Sequence, residues 1–397
     1  MAERFFWLAF SAFPGIGPMK FQKLLGYFGS AKSAWEAKAT DLTEILGKSL
    51  TAKLENFRRN FSVEKYAAEL KKKNASFFIF SDKEYPKLLA QIKNPPFVLY
   101  VRGNINVLAG VSRAEVGNKN FLVPHSHTAR HANNKNFFPS PRVIAVVGTR
   151  RITSYGREVT EMFVRELADA GFTIVSGLAI GVDAVAHQTS IEAASNGRKT
   201  IAVLGCGVDC CTPRENQHLY NSIVGGGGAV ISELPLGHPP TKGSFPSRNR
   251  IIAGLSLGVL VTEGAEDSGA LITADYALKF NRRVFAVPGP ITSSLSKGPY
   301  KLIQKGAKLV TNAQDVINEL GITGTISTTS ITGKRSVRGE NKEEQKVLTL
   351  LEHEALHFDE IARITGFEPS KLGSILSIME MKGMVKSLDI GLFSITS

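Results

Sequence analysis

The chain has 397 residues, 43% of them hydrophobic and 21% charged, and its 48 Lys and Arg outnumber 35 Asp and Glu for a formal net charge of +13. That length suits two or three domains with a buried core, and the composition is that of an ordinary soluble protein whose excess of cations favours a polyanionic partner. The three cysteines, Cys206, Cys210 and Cys211, are spaced for neither zinc nor a disulfide framework, which excludes a stapled scaffold and fits a reduced, cytoplasmic setting.

Residues 1–75 show helix-like apolar spacing in Phe5–Phe13, Phe21–Phe28 and Leu50–Phe61 and are expected to form a helical domain. The run Phe5–Phe13 is short, contains Ser11 and runs into Pro14-Gly15-Ile16-Gly17, so it reads as a core helix rather than a membrane span or signal segment. Such a glycine turn can present backbone N–H groups to nucleic-acid phosphate or simply join two helices, and only Lys20 and Lys23 flank it. Ser76–Phe80 and Phe97–Val101 are expected strands, joined by an irregular stretch from Tyr85-Pro86 to Pro95-Pro96. Asn104–Arg142 has no sustained period and becomes rich in Asn, His, Lys and Pro, which predicts a long, flexible surface insertion. Its His125, His127 and His131 have no cysteine nearby and Glu115 as the only acid, so we read them as solvated rather than metal-binding.

From Val143 strands and helices alternate, which argues for a parallel sheet with helices on both faces. The expected strands are Val143–Val147, Phe172–Val175, Thr200–Leu204, Ala229–Ile231, Val259–Thr262, Val284–Val287 and Ala307–Val310. Helices are expected over Tyr155–Ala170, Val182–Ala194 and Leu271–Phe280. The class is therefore α/β, an extended Rossmann-like sheet over 76–319. Residues 320–342 read as a linker, and 343–397 as a unit in winged-helix order. The candidate recognition helix of that unit, Pro369–Met381, has Lys371 as its only cation, which favours interaction or regulation over major-groove reading.

Ligands of open α/β sheets bind beyond the carboxyl ends of the strands, and the informative residues fall there. Gly148-Thr149-Arg150-Arg151 follows the first strand of the alternating region, and Ser176-Gly177-Leu178-Ala179-Ile180-Gly181 follows the second. Glycines let a ligand approach the backbone, and helix starts supply partial positive charge, although close strand–helix packing uses glycine too. Asp183 and His187 share a helix face, and a structural role is favoured for both over acid–base chemistry. Phe245-Pro246-Ser247-Arg248-Asn249-Arg250 sets two arginines around an asparagine at a helix mouth. Ser268, Gly269 and Thr273 open a further helix, where capping and ligand contact are both open readings. Together Arg150, Arg248 and Arg250 suit an extended anion such as single-stranded nucleic acid, with Phe245 and Tyr155 as stacking candidates. The run Gly225–Gly228 has no Lys-Ser or Lys-Thr after it, and GxxxxGK[ST] is absent, which argues against a Walker-type ATPase.

With these residues assembled, the chain resembles the DprA/Smf family of DNA-processing proteins from about Tyr85 to Val310. The likeness is carried by Tyr85-Pro86 with Pro95-Pro96, Val146-Val147-Gly148-Thr149-Arg150, Ser176-Gly177-Leu178-Ala179 with Gly181, Asp183 and His187, and Gly205-x-Gly207-x-Asp209. It continues through Ser232-Glu233, Phe245-Pro246-x-Arg248-Asn249-Arg250, Ser268-Gly269 with Thr273-Ala274, Pro288-Gly289 and Gly306-Ala307. The resemblance implies a SAM- or helix-hairpin-helix-like N-terminal domain, a Rossmann-like domain that binds single-stranded DNA, and a winged-helix tail. It further implies a homodimer without catalysis, cofactor or metal, which shields incoming strands in natural transformation and loads a RecA-type recombinase onto them. By this likeness Arg150, Arg248 and Arg250 line the DNA groove, Ser176, Gly177 and Gly181 cradle phosphate, and Lys199 is a further contact. Phe245, Asn249, Ser268 and Gly269 complete the expected nucleic-acid site.

Three departures stand out: the long insertion, Thr212-Pro213 in place of Tyr-Pro, and Pro299-Tyr300 in place of a polar residue followed by Asn. A competing reading is a phosphoribohydrolase on a related nucleotide-binding sheet. Against it, Ser268–Thr273 lacks the PGGxGT glycine run, and no Glu follows within that helix.

Overall fold

The first described unit is built on nine strands: β1 (Ala75–Ile79), β2 (Val98–Gly103), β3 (Val143–Val147), β4 (Thr173–Ser176), β5 (Ile201–Val203), β6 (Ala229–Ser232), β7 (Gly258–Val261), β8 (Arg283–Ala286) and β9 (Lys308–Leu309). The structure, a computed structural model, describes residues 2–104, 106–109, 142–193, 200–322, 339, 341–351, 355–389 and 391–395. Every strand read from the sequence is present with its ends moved by a residue or two. Most of the expected insertion, including the three histidines, lies outside the described residues, as do Lys199 and most of the linker.

The strands join in the order β1-β2-β6-β5-β4-β3-β7-β8-β9. From β6 to β9 all neighbours are parallel, whereas β1–β2 and β2–β6 are antiparallel, so the sheet is mixed rather than purely parallel. Residues 80–97 join β1 to β2 and hold only the one-turn helix Lys87–Ala90. All five side chains of β3 are buried, as expected of a central strand covered on both faces. Consecutive strands run from β3 to β6 on one side and from β7 to β9 on the other, which puts the topological switch point between β3 and β7.

Six helices over Glu3–Ala12, Pro18–Phe28, Ala31–Glu36, Ala39–Leu46, Lys48–Asn60 and Val63–Lys72 pack in the same compact unit as the sheet. Their core is aromatic, with Trp7 edge-on to Phe21 at 4.8 Å and Phe10 edge-on to Trp35 at 5.0 Å. They close on β2 through the buried Tyr100, whose hydroxyl meets Ser11 Oγ at 2.5 Å and Tyr66 at 3.4 Å. Lys73 binds Asp209, whose other oxygen accepts the Gly237 N–H at 2.9 Å, so a second tie links these helices to the loop after β5.

The second unit spans Thr325–Ser397. Its helices Lys342–Leu351, Phe358–Thr365 and Pro369–Met381 pack with a small antiparallel sheet of β10 (Leu356–His357), β11 (Val385–Asp389) and β12 (Leu392–Ile395), the winged-helix arrangement. Lys371 pairs with Glu343 at 2.5 Å, so the one cation of the candidate recognition helix is internally engaged. Among the described residues no helix is long and apolar enough to cross a membrane.

Candidate nucleic-acid interface

Four helices begin along the rim at the carboxyl ends of β3, β4, β6 and β7: Ser154–Asp169, Val182–Glu192, Ser244–Leu255 and Gly269–Lys279. Their first turns carry unpaired N–H groups and partial positive charge. A cavity of about 800 Å³ opens between them, lined among others by Thr149, Arg150, Arg151, Lys242, Phe245 and Ser268. It sits at the switch point, where the two halves of the sheet part company.

The loops are drawn together by close backbone approaches. Gly181 has a φ of +84°, and a Cβ there would fall 2.2 Å from the Thr149 carbonyl oxygen, so only glycine lets these loops touch. At Gly177 a Cβ would lie 2.1–2.3 Å from the guanidinium of Arg248, which fills that space. The next residue, Leu178, is buried with a φ of 58°, an uncommon conformation for a branched side chain, and its carbonyl accepts from Asn216 Nδ2 at 2.9 Å.

Arg248 is 6% exposed and lines the cavity, with its head group bonded inward. One terminal nitrogen donates to the carbonyls of Gly177 and Val203, Nε donates to Asn249 Oδ1 at 3.0 Å, and the other terminal nitrogen is 4.0 Å from Asp183. Through these bonds the cation clamps strand ends. Arg250 is likewise committed, pairing with Glu233 at the end of β6, and it is not among the cavity residues. Asn249 bridges by donating to the Gly269 carbonyl at 3.3 Å and keeps a place on the cavity wall.

Ser176, expected to cradle phosphate, lies inside the fold. It is fully buried and donates to the Val146 carbonyl at 2.7 Å, tying β4 to β3. The Gly177 N–H donates to Asp183 Oδ2 at 3.1 Å, so both polar groups of Gly177 are spent inside the protein. Burial pushes the Asp183 carboxyl up despite the opposing charge of Arg248. His187 is paired with Thr200. Thr200 Oγ1 donates to the Ile174 carbonyl at 2.8 Å, so it must accept from His187 Nδ1 at 2.7 Å, leaving Nε2 bare. Burial, with Arg248 adding to it, lowers the imidazole to about 3, so it is neutral and structural.

The cations that stay uncommitted are others. Arg150 and Arg151 are exposed, and among the described residues neither they nor Lys242 have an ion-pair partner. Arg150 lies over the Phe245 ring at 5.9 Å, and Phe245 is half-buried against Gly205, leaving part of its ring on the cavity wall. Ser268 caps its helix by accepting from the Ala270 N–H at 3.3 Å, and next to it Gly269 faces open space. Tyr155, by contrast, donates its hydroxyl to the Pro288 carbonyl, and Tyr300 does the same to Gly289, which fixes both rings.

Sequence reasoning overlooked Glu263. Buried at the end of β7, it accepts from Thr153 N at 3.0 Å and Thr153 Oγ1 at 2.7 Å, while its carbonyl accepts from Thr149 N at 2.7 Å. It thereby joins the two sides of the switch point. An acid directly after an apolar strand run was the available signal. Arg151 stands in the Gly148-Thr149-Arg150-Arg151 run without being singled out, and Lys242 lies outside any motif, yet both line the cavity.

The chain is similar to known proteins over most of its length. A family model described as DNA recombination-mediator protein A matches residues 76–135 and 133–321, and one described as the DprA winged helix domain matches 334–389. Protein Smf of Synechocystis is 37% identical over 322 residues, covering 81% of this chain and 73% of that protein. The DNA processing protein DprA of Streptococcus pneumoniae is 39% identical over 254 residues, 64% of this chain and 77% of that one. The X-ray structure of the Streptococcus pneumoniae protein superimposes with a TM-score of 0.61 at 33% identity, covering 80% of this chain and 97% of that one.

Proposed function

This chain belongs to the DprA/Smf family of DNA recombination mediators, and from that membership we propose that it binds single-stranded DNA along the switch-point rim. The observation that carries the reading is the division of labour among the cations. Arg248 and Arg250 are consumed in shaping the loops, whereas Arg150, Arg151 and Lys242 surround an open cavity beside helix starts. Phosphates would meet Arg150, Arg151, Lys242 and the N–H groups near Gly181 and Gly269. A base would stack on Phe245, whose half-exposed ring suits a strand with free bases rather than a paired duplex. The same reading assigns the protein to protection of incoming strands in natural transformation and to loading of a RecA-type recombinase.

A homodimer fits an exposed part of the sheet. Strand β9 ends the sheet, and Leu309 on it and Leu278 near it are 44% and 48% exposed. An open edge beside apolar side chains is a surface that a second copy would cover.

Fluorescence anisotropy with labelled oligo-dT over a salt series tests the proposal. Affinity should fall with a log–log slope of about −0.7 per phosphate contact, and Arg150→Ala should flatten it by about one contact. Equal affinity for duplex and single strands, or a slope near zero, would overturn the reading.

A further inference from the structure

Cys206, Cys210 and Cys211 share one loop between β5 and the helix Gln217–Gly225, and the DNA groove uses none of them. Cys206 is buried, and its thiol donates to the Cys210 carbonyl at 3.1 Å. A turn closed by the Cys210 N–H on the Gly207 carbonyl at 2.9 Å folds the chain back on itself, bringing these two residues together. The Cys210 sulfur has a long 3.8 Å contact with Thr212 Oγ1, whereas Cys211 is engaged with the Pro213 carbonyl at 3.4 Å. Both residues are half-buried, packed on the cluster that includes Leu178.

We propose that Cys206 and Cys210 are an oxidisable thiol pair, a modification site for peroxide that closes to a disulfide within the loop. In the first step the half-exposed Cys210 sulfur attacks one peroxide oxygen. The O–O bond breaks, a sulfenic acid forms, and the departing hydroxide takes the thiol proton to become water. In the second step the Cys206 sulfur attacks that of Cys210, the S–O bond breaks, and a second water leaves with the Cys206 proton. Two thiols have then lost two electrons and one peroxide has become two waters. The roles follow from the surroundings: burial first, then the neighbouring Cys210 thiol, pushes Cys206 up to about 12, which suits the resolving partner rather than the initial attacker. Burial likewise pushes Cys211 up to about 11. Closing the bond removes the thiol-to-carbonyl hydrogen bond around Asp209, the residue that holds Lys73 and the Gly237 N–H.

The test uses the full chain. All three cysteines fall in the tryptic peptide Thr200–Arg214. After peroxide, alkylation without reductant and digestion, that peptide should carry one alkyl group instead of three and be about 2 Da lighter than the same peptide with one alkylated and two free thiols, reversibly with dithiothreitol. The mass loss should persist in Cys211→Ser and vanish in both Cys206→Ser and Cys210→Ser. Three alkylated thiols after peroxide would overturn the proposal. So would a loss that survives Cys206→Ser, which would place the bond between Cys210 and Cys211, or a product oxidised to sulfinic acid without a disulfide.

Discussion

Gly177→Ala is the sharpest perturbation of the rim, because the new methyl group would sit 2.1–2.3 Å from the Arg248 guanidinium. Neither side can yield cheaply: the arginine is 6% exposed and the glycine is tied to Asp183 through its N–H. Expelling the guanidinium breaks its bonds to the Gly177 and Val203 carbonyls, each of a kind that contributes about 1.5–3 kcal/mol. It also strips the buried Asp183 of its counter-charge, and breaking a buried pair costs about 3–5 kcal/mol. These costs overlap, so the expected loss is about 3–5 kcal/mol rather than their sum. Urea unfolding followed by tryptophan fluorescence measures it, since both tryptophans, Trp7 and Trp35, lie in the first unit. In an Arg248→Ala background the same glycine change should cost far less. A loss below about 1 kcal/mol in the single variant, or an undiminished loss in the double one, refutes the clamp.

Further outcomes follow from the same geometry. His187 has a folded pKa of about 3 against an ordinary value near 6.5, so the unfolded chain binds its proton first as pH falls. Its contribution is complete above about pH 6.5 and is lost towards pH 3 at about 1.4 kcal/mol per unit, so His187→Gln should lose about 2 kcal/mol less than the parent between pH 7 and 5. Gly269→Ala meets no atom within 4 Å, so urea titration should show stability unchanged or slightly raised while oligo-dT affinity falls because a strand can no longer approach the backbone. Lys371→Ala should leave DNA affinity unchanged in the same anisotropy assay, because Glu343 already holds that ammonium. Asp209→Asn should speed tryptic cleavage around Lys71–Lys73, since it weakens the tie to the helices.

Strand and helix positions were legible because the apolar runs from Val143 onward admit few alternatives, and β3 shows the result in five buried side chains. The antiparallel seat of β2 against β6 was not, because pairing between distant segments leaves no periodic trace in either one. The rim was legible as a place, since glycines and helix starts mark it. The roles of its arginines were not. Arg248 and Arg250 stand in a pattern that reads as exposed charge, and only the positions of Asp183, Gly177 and Glu233 show that both are occupied. The inward bond of Ser176 was hidden for the same reason, since a small polar residue at a strand end reads alike whether it faces a ligand or a neighbouring carbonyl. The places of Arg151 and Lys242 on the cavity wall were not legible, because exposure leaves no pattern in the sequence.

The antiparallel edge also constrains how the chain is made. Strand β2 leaves the ribosome well before its partner β6, so Val98–Val101, buried in the finished sheet, must wait with one side unpaired. Helices docked on Tyr100 shield one face of that strand during synthesis, but its hydrogen-bonding edge stays open until Ala229–Ser232 arrives. A chain stopped before β6 should therefore self-associate through β2, whereas one stopped after it should remain dispersed. The long delay leaves this strand pair open to neighbouring chains during synthesis, and slowed translation would lengthen that exposure.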